Sequence, residues 1–267
     1  MKIGIDFGIT NTDIAINDRK KFTYLSFPSI DIQEDLSKIF KELSSASINL
    51  AECKSINVTG GKSSELPNTY NKIKINHINE IDAIGTGAEQ IYELNDPSLI
   101  VSAGTGTALV AVKDSEIVHL GGIAVGGGML EGLGHILFNN SNGYEINEFA
   151  NKGDRSKVDL LIGDVVNKIG NLGADETAVN FGQSKSSDLN TMENLSSSVC
   201  NMVGEVIGTM AYLNAFLIKT NKVFFIGRTS LLSNVQAGIN TRLRLAGIEG
   251  KYAKDREYCN AVGASLF

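Results

Sequence analysis

The segment Ile3-Gly-Ile-Asp-Phe-Gly-Ile-Thr-Asn-Thr-Asp-Ile-Ala-Ile-Asn-Asp18 predicts a β-hairpin at the start of the chain. Its apolar strand ends at Phe7, and a turn of small and hydroxyl-bearing residues follows. Apolar residues then alternate with polar ones over residues 13–17, which indicates the partner strand. Residues 22–27 predict a third strand beside these two.

A second copy of this pattern occurs at Leu99-Ile-Val-Ser-Ala-Gly-Thr-Gly-Thr-Ala-Leu-Val-Ala-Val-Lys-Asp114. Gly8 aligns with Gly104, and Asp18 aligns with Asp114. A duplicated supersecondary unit explains the match most economically, and two unrelated hairpins are the alternative. We therefore expect two lobes, residues 1–96 and 97–267. The turn-forming Asn95-Asp96-Pro97 divides them, because proline disfavours helix in the residue before it.

The remaining periodicity indicates helices and strands in both halves. Apolar spacing predicts a helix over residues 32–43, with Asp31 as its N-cap, and a second helix that includes residues 83–92. The other expected elements are strands at 55–59, 73–78 and 223–227, helices at 154–169 and 194–218, and helical spacing at 260–267. This composition of elements predicts an α/β fold.

Composition and charge exclude several classes of protein. The 24 Lys+Arg against 30 Asp+Glu give a net charge of −6, with no basic run longer than Arg19-Lys20-Lys21. Nucleic acid is a poor partner for such a chain, because its binding needs a clustered basic face. The sequence has no apolar run of the length, about 18 residues, that a membrane span requires, and no signal-peptide pattern. We expect a cytoplasmic protein that binds neither membranes nor nucleic acids.

Cysteine usage agrees with that expectation. Cys53, Cys200 and Cys259 are odd in number, far apart in sequence, and lack the Cys-x-x-Cys spacing of metal sites. All three are interpreted as reduced structural residues.

Three glycine-containing segments have the chemistry of a phosphate or nucleotide site. Asp6 ends a strand just before the Gly8 turn, where backbone N–H groups can form an anion-binding nest and the carboxylate can hold Mg²⁺ or its water shell. Gly104-Thr-Gly-Thr107 supplies a second such turn at the equivalent position. The run from Gly121 to Gly134 contains Gly126-Gly-Gly128 and leads into a predicted helix. An ordinary hairpin, flexible turn glycines and close helix packing are the respective structural alternatives.

Taken together, these segments and four others resemble type II pantothenate kinases, of the acetate and sugar kinase, heat-shock ATPase and actin superfamily. The others are Lys152-Gly-Asp-Arg155, Asn180-Phe-Gly182, Gly204-Glu205 and Phe225-Ile-Gly227. Matching stretches run in the same order over nearly the whole chain. The resemblance implies two duplicated ribonuclease-H-like lobes with a nucleotide cleft between them.

The resemblance also implies an activity: transfer of the ATP γ-phosphate to the primary hydroxyl of pantothenate, with Mg²⁺, by a homodimer, as the first step of coenzyme A synthesis. The matching general base is Glu80, for which a helix first-turn charge is the structural alternative. The implied substrate contacts are Asp82, His119 and Asn180. The implied ATP contacts are Asp6, Gly8, Ile9, Thr10, Asn11, Thr12, Asp13, Gly104, Thr105, Gly106, Thr107, Gly126, Gly127, Gly128, Met129, Leu130, Glu131, Gly143, Gly227 and Arg228.

Two positions depart from the family pattern. Asp13 stands where the family has a lysine that reaches the ATP phosphates, and His119 stands where it has a substrate-binding arginine. His119 could equally be a surface residue at a strand end. A kinase-like protein that binds nucleotide or a pantothenate derivative without turnover is therefore the alternative hypothesis, and a sugar kinase of the same superfamily is a weaker one.

Overall fold

This computed structural model describes residues 1–19, 21–29, 32–46, 48, 53, 55–61, 63–92, 94, 97–114, 116–166, 173–186 and 188–267. In its first part the strands and helices are β1 (Lys2–Phe7), β2 (Asn11–Asp18), β3 (Lys21–Pro28), α1 (Ile32–Ser45), β4 (Ile56–Thr59), β5 (Thr69–Tyr70), β6 (Ile73–His77) and α2 (Glu80–Tyr92).

The chain continues with β7 (Ser98–Ala103), β8 (Thr107–Lys113), β9 (Glu116–Ile123), α3 (Gly127–Phe138) and α4 (Gly143–Ala150). It ends with β10 (Leu160–Leu161), α5 (Ile162–Val165), β11 (Thr177–Val179), α6 (Met192–Leu217), β12 (Lys222–Ile226), α7 (Ser233–Leu245), β13 (Glu249–Lys251) and α8 (Cys259–Leu266).

These elements form two compact units. The first unit contains residues 1–96, 110–119 and 253–267, and the second contains residues 97–109 and 120–252. The predicted α/β fold is confirmed, and so are the two hairpins, the long helix near residues 194–218 and the C-terminal helix. The proposed cap Asp31 and the turn residues Asn95 and Asp96 lie outside the described residues.

In the first unit a sheet of order β3-β2-β1-β4-β6-β5 is covered by helices on both faces. Ile3, Ile5 and Phe7 of β1 share one buried cluster with apolar residues of α1. On the opposite face Gly4 approaches α8 closely, and Asn57 donates a hydrogen bond to the Ala264 carbonyl of α8 at 2.7 Å. The alternation along β1 follows from these two faces, since Ile3, Ile5 and Phe7 pack toward α1 whereas Gly4 lies against α8.

The second sheet has a strand order similar to that of the first. Its order is β13-β12-β7-β8-β9, so three sequential strands lie in a row and the first of them, β7, pairs parallel with β12. β1, β2, β3 and β4 have the same relation in the first sheet, where β1 pairs parallel with β4. This shared order agrees with the duplication inferred from the sequence.

The core of the second unit lies between its sheet and the helix pair α6 and α7. Val199, Val203 and Ile207 of α6 are fully buried in one cluster with Val101 and Phe225 of the sheet. Thr191 caps the start of α6, because its side-chain oxygen accepts a hydrogen bond from the Asn194 N–H at 3.3 Å.

One predicted helix is wrong. Residues 154–169 were expected to be helical, but their described part forms a short 3-10 turn at Arg155–Lys157, then β10 and the four-residue α5. Arg155 instead donates from Nη1 to Thr177 Oγ1 at 2.8 Å, and Asp159 is fully buried with polar partners. These tertiary bonds outweigh the local periodicity. Residues 167–169 lie outside the described part of the chain.

Candidate active site

The turn between β1 and β2 is tight and braced by the end of β3. Thr10 O accepts a hydrogen bond from the Ser29 N–H at 2.9 Å, and the Ser29 hydroxyl donates to Gly8 O. Ile9 is 78% exposed at the tip. A Cβ on Gly8 would lie 2.7 Å from Asn11 O, so the turn itself requires glycine here.

Asp6 and Asp13 are directly opposite each other in the β1–β2 pair and therefore lie on the same face of the sheet. It is the face that α8 covers. Asp13 is only 6% exposed. Thr12 is fully buried and lies on the other face, so its side chain is separated from the two carboxylates.

The Asp6 carboxylate lies against the end of β4. Thr59 is its neighbour in the parallel β1–β4 pair. A Cβ on the next residue, Gly60, would meet Asp6 Oδ1, and Gly60 also has a left-handed φ of 76°. Asp6 is close enough to Cys259 that its charge adds to burial, the larger cause, in raising the pKa of that thiol. Cys259 is thus a protonated, buried residue, and all three cysteines are free.

In the second unit the turn Gly104–Gly106 is fastened from several directions. Gly104 O accepts hydrogen bonds from Gly127 N at 2.8 Å and from Thr229 Oγ1 at 2.7 Å. Thr105 O accepts from Gly128 N at 3.0 Å. The first amides of α3 therefore hold the turn in place. Thr229 was not among the residues predicted from the sequence, although it directly follows the predicted pair Gly227 and Arg228.

The outer side of this turn is open. A Cβ on Gly104 would have one neighbour within 4 Å, at 3.8 Å, and a Cβ on Gly106 would have one at 3.5 Å. Neither glycine has a left-handed φ. Protein packing therefore does not explain glycine at these two positions.

Gly126 differs from Gly104 and Gly106, because protein packing explains glycine at this position. A Cβ there would lie 2.6 Å from Gly104 O and 2.7 Å from Thr105 O, so glycine is required for α3 to dock on the turn. Thr107 Oγ1 adds a hydrogen bond to Val125 O at 2.7 Å. Met129 is half-buried in the first turn of α3, and Leu130 is fully buried in the core.

Two predicted ATP contacts, Glu131 and Gly143, meet in the structure. Gly143 begins α4, and its N–H donates to Glu131 Oε1 of α3 at 3.3 Å. Asn142 caps α4 by accepting hydrogen bonds from the N–H groups of Tyr144 and Glu145.

Gly227 and Arg228 lie where β12 ends. Gly227 has a φ of 84°, and a Cβ on it would lie 2.5 Å from Ala103 O, which only glycine permits. The chain thereby passes close to the end of β7 and brings Thr229 to Gly104. Arg228 starts a short 3-10 turn beside them and is half-buried.

Glu80 is the first residue of α2 and is exposed. Asn79 precedes it and caps the helix, since Asn79 Oδ1 accepts a hydrogen bond from the Ile81 N–H at 2.8 Å. Asp82 is also exposed in this first turn. The helix dipole favours both carboxylates at this end of α2, so a role in chemistry and a role in the helix are compatible.

His119 and Asn180 occupy different settings. His119 is exposed on β9. Asn180 is half-buried in a turn after β11, and its Nδ2 donates to Glu205 Oε2 of α6 at 3.2 Å. The next residue, Phe181, donates its N–H to Asp159 Oδ1 at 2.8 Å. Burial is the main reason that the pKa of Asp159 is raised.

Among the described residues, no group of three or more His, Cys, Asp or Glu side chains is arranged to hold a metal ion. Within the same residues, no helix has the length and apolarity that crossing a membrane requires.

The fold is shared with solved structures that include a dehydratase activator and a glucokinase. The activator of 2-hydroxyisocaproyl-CoA dehydratase from Clostridium difficile, solved with ADPNP, superposes with a TM-score of 0.67 and 14% identity, covering 99% of this chain and 92% of that one. A ROK family glucokinase from Streptomyces griseus, solved with glucose and AMPPNP, superposes with a TM-score of 0.62 and 13% identity. This match covers 99% of this chain and 98% of that one. At these identities the likeness shows the fold alone.

Comparison with sequence relatives identifies a family among the proteins that share this fold. Residues 88–241 match the profile of the Fumble family. A protein of Bacillus thuringiensis subsp. konkukian named "Type II pantothenate kinase" is 28% identical over 99% of this chain and 96% of its own length. Its namesake from Oceanobacillus iheyensis is 30% identical over 85% of this chain and 84% of its own length. The chain belongs to the Fumble family of type II pantothenate kinases.

Proposed function

We propose that this protein is an ATP- and Mg²⁺-dependent kinase that phosphorylates the primary hydroxyl of pantothenate or a closely related molecule, as the first step of coenzyme A synthesis. The observation that carries the proposal is the open turn at Gly104–Gly106. Its glycines lack a packing reason, and its position is fastened by α3 and Thr229. A fixed turn with accessible backbone suits a nucleotide phosphate.

Each predicted residue then has a role in positioning. The turns at Gly8 and Gly104–Gly106 bind phosphate oxygens through backbone N–H groups, and Gly126–Glu131, Gly143, Gly227 and Arg228 support the rest of the nucleotide. Glu80 orients or deprotonates the substrate hydroxyl, and Asp82, His119 and Asn180 contact the substrate. Phosphoryl transfer asks mainly for such positioning and for charge stabilisation.

Asp6 is the residue that would hold Mg²⁺ or its water shell. A half-buried carboxylate at a strand end supplies oxygen ligands of the type that this cation prefers. When bound, Mg²⁺ neutralises negative charge on the phosphates.

The position of Asp13 favours a second candidate function, a kinase-like protein that binds nucleotide or a pantothenate derivative without turnover. Asp13 is buried on the same face as Asp6, so a triphosphate near Asp6 would meet an added like charge. At a separation of about 4 Å and an intermediate dielectric, this repulsion amounts to about 4 kcal/mol.

Turnover separates the two candidates. Purified protein is incubated with ATP, Mg²⁺ and pantothenate, and ADP release is followed, with glucose as a second substrate to test the sugar-kinase alternative. ADP formation that depends on pantothenate supports the proposal. ATP binding without ADP formation on either substrate supports the binding protein.

Glu80→Gln tests the assigned base. The substitution keeps size and hydrogen bonding but removes proton acceptance, so kcat should fall by about 10²- to 10⁴-fold. Affinity for ATP should change little. Glu89→Gln is the matched control, because Glu89 is an exposed residue of the same helix outside its first turn. A Glu80→Gln enzyme with near-native kcat would refute the role of Glu80.

A further inference from the structure

The turn Asn180–Gly182 is held in an unusual backbone conformation. Phe181 has a φ of 57°, in the left-handed region that a bulky side chain seldom adopts. Its N–H is bound by Asp159, which is fully buried and also accepts a hydrogen bond from the Ser198 hydroxyl. Gly182 N closes the turn on Val179 O at 3.1 Å. A strained residue kept in place by buried polar groups is typical of functional sites.

Asn180 is fixed by a charged pair at the crossing of α6 and α7. Glu205 is only 4% exposed and receives the Asn180 amide on Oε2. Its Oε1 lies 3.0 Å from Arg242 Nη2 of α7, a charge pair without hydrogen-bond alignment. The two helices approach closely here, since a Cβ on Gly204 would lie 2.2 Å from Val235 O. Glu205 therefore has little freedom to move.

This pairing determines which end of the Asn180 carboxamide faces Glu205. A carboxylate can only accept hydrogen bonds, so the atom that faces Glu205 must be the Nδ2 amide. The Oδ1 carbonyl then faces away from Glu205.

We propose that Asn180 recognises a hydrogen-bond donor, an N–H or O–H group of the substrate, through Oδ1, and that Glu205 is the positioning residue that fixes this orientation. This rests on the proposed function, which supplies the substrate. Under this proposal Asn180 does not bind a carboxylate of the substrate, because a carboxylate has no hydrogen-bond donor. In pantothenate the available donors are the amide N–H and the secondary hydroxyl.

Donor-deleted substrates test the proposal. ADP release is measured with pantothenate, with its N-methyl amide analogue and with its 2-deoxy analogue, for wild type and Asn180→Ala. For wild type, one analogue should lower kcat/KM by about tenfold or more, because Oδ1 is left without a donor. For Asn180→Ala, the same analogue should lose less than about twofold, since the acceptor is already gone. Equal losses in both enzymes would overturn the proposal.

Glu205→Gln tests the positioning role. A glutamine can present either its oxygen or its amide to Asn180, so the orientation is no longer fixed. KM for pantothenate should rise several-fold, kcat and KM for ATP should stay near wild type, and discrimination between pantothenate and the sensitive analogue should shrink. Retained discrimination contradicts this role. If Glu205→Gln does not fold, the comparison of the analogues in wild type and Asn180→Ala decides whether Asn180 recognises a donor of the substrate.

Gln183→Ala is the matched control, an amide truncated in the same segment whose Nε2 binds Asp164 at 3.0 Å instead. It should discriminate like wild type. Failure of wild type to phosphorylate pantothenate refutes the proposed function and, with it, the substrate on which this inference depends. Turnover by wild type without coupling at Asn180 refutes the inference alone.

Discussion

At the scale of single residues, the glycines of the second unit separate into two groups with different physical reasons. Gly126 and Gly227 are required because other backbone atoms lie where a Cβ would be. Gly106 has space on that side and no left-handed φ. Packing therefore does not require glycine at position 106. If the proposed nucleotide binds there, substitution should weaken binding and spare the fold.

Gly106→Ala should therefore lower ATP affinity by about tenfold or more, which corresponds to at least about 1.4 kcal/mol. Its free energy of unfolding without nucleotide should be unchanged or higher by up to about 1 kcal/mol, because alanine restricts the unfolded chain. Isothermal titration and urea denaturation measure the two quantities.

Gly126→Ala is the contrasting variant, and it should lower the free energy of unfolding by about 1–3 kcal/mol through overpacking. The ligand interpretation of Gly106 fails if Gly106→Ala binds ATP normally, or if it destabilises the protein as much as Gly126→Ala does.

At the scale of elements, α8 is held on β1 by close backbone contact. A Cβ on Gly4 would lie 2.0 Å from Ala261 O and 2.5 Å from Ser265 N of that helix. The helix also packs on α2, where Gly263 approaches Ala83 O. Small residues at helical spacing in the C-terminal segment thus serve close packing.

Gly4→Ala should destabilise the protein by about 1–3 kcal/mol, because α8 must shift away from the sheet. Gly132→Ala is the control. Gly132 is exposed within α3, with nothing within 4 Å of the added carbon, so alanine should stabilise by about 1 kcal/mol. Urea denaturation should show that Gly4→Ala lowers the free energy of unfolding and that Gly132→Ala raises it. An unchanged free energy of unfolding for Gly4→Ala would show that α8 adapts to the added carbon without loss of stability.

At the scale of the whole molecule, we expect a homodimer formed through α6. The C-terminal half of this helix exposes Leu213, Phe216 and Leu217, at 48%, 55% and 70%, on one side of the helix. An apolar stripe of this kind on a surface helix indicates a protein contact. A second copy of the chain is the partner that the family resemblance implies.

Phe216→Glu should convert the dimer to a monomer, because two charges would be buried across a symmetric interface. Light scattering at micromolar concentration measures the change, and an unaltered melting transition of the monomeric unit would show that the fold survives. A wild-type protein that is already monomeric would contradict the expectation.

The sequence alone determined the local structure and the family of this protein. Alternating residues after Gly8 and after Gly104 define hairpins that the structure contains, and the apolar spacing near residues 194–218 defines α6. These features depend on neighbours in the chain, so periodicity and turn chemistry report them directly. The ordered motifs identified type II pantothenate kinases for the same reason: each motif is contiguous.

Only the tertiary structure decided which distant residues meet. Thr229 binds the turn at Gly104, Gly143 binds Glu131, and Asn180 is oriented by Glu205 with Arg242 behind it. It also showed that residues 154–166 form a 3-10 turn, the short strand β10 and the four-residue α5 in place of one long helix, because Asp159 and Arg155 bind partners about 20 residues along the chain. Such contacts leave no periodic signal, since they depend on how helices and strands pack and not on the residues beside them.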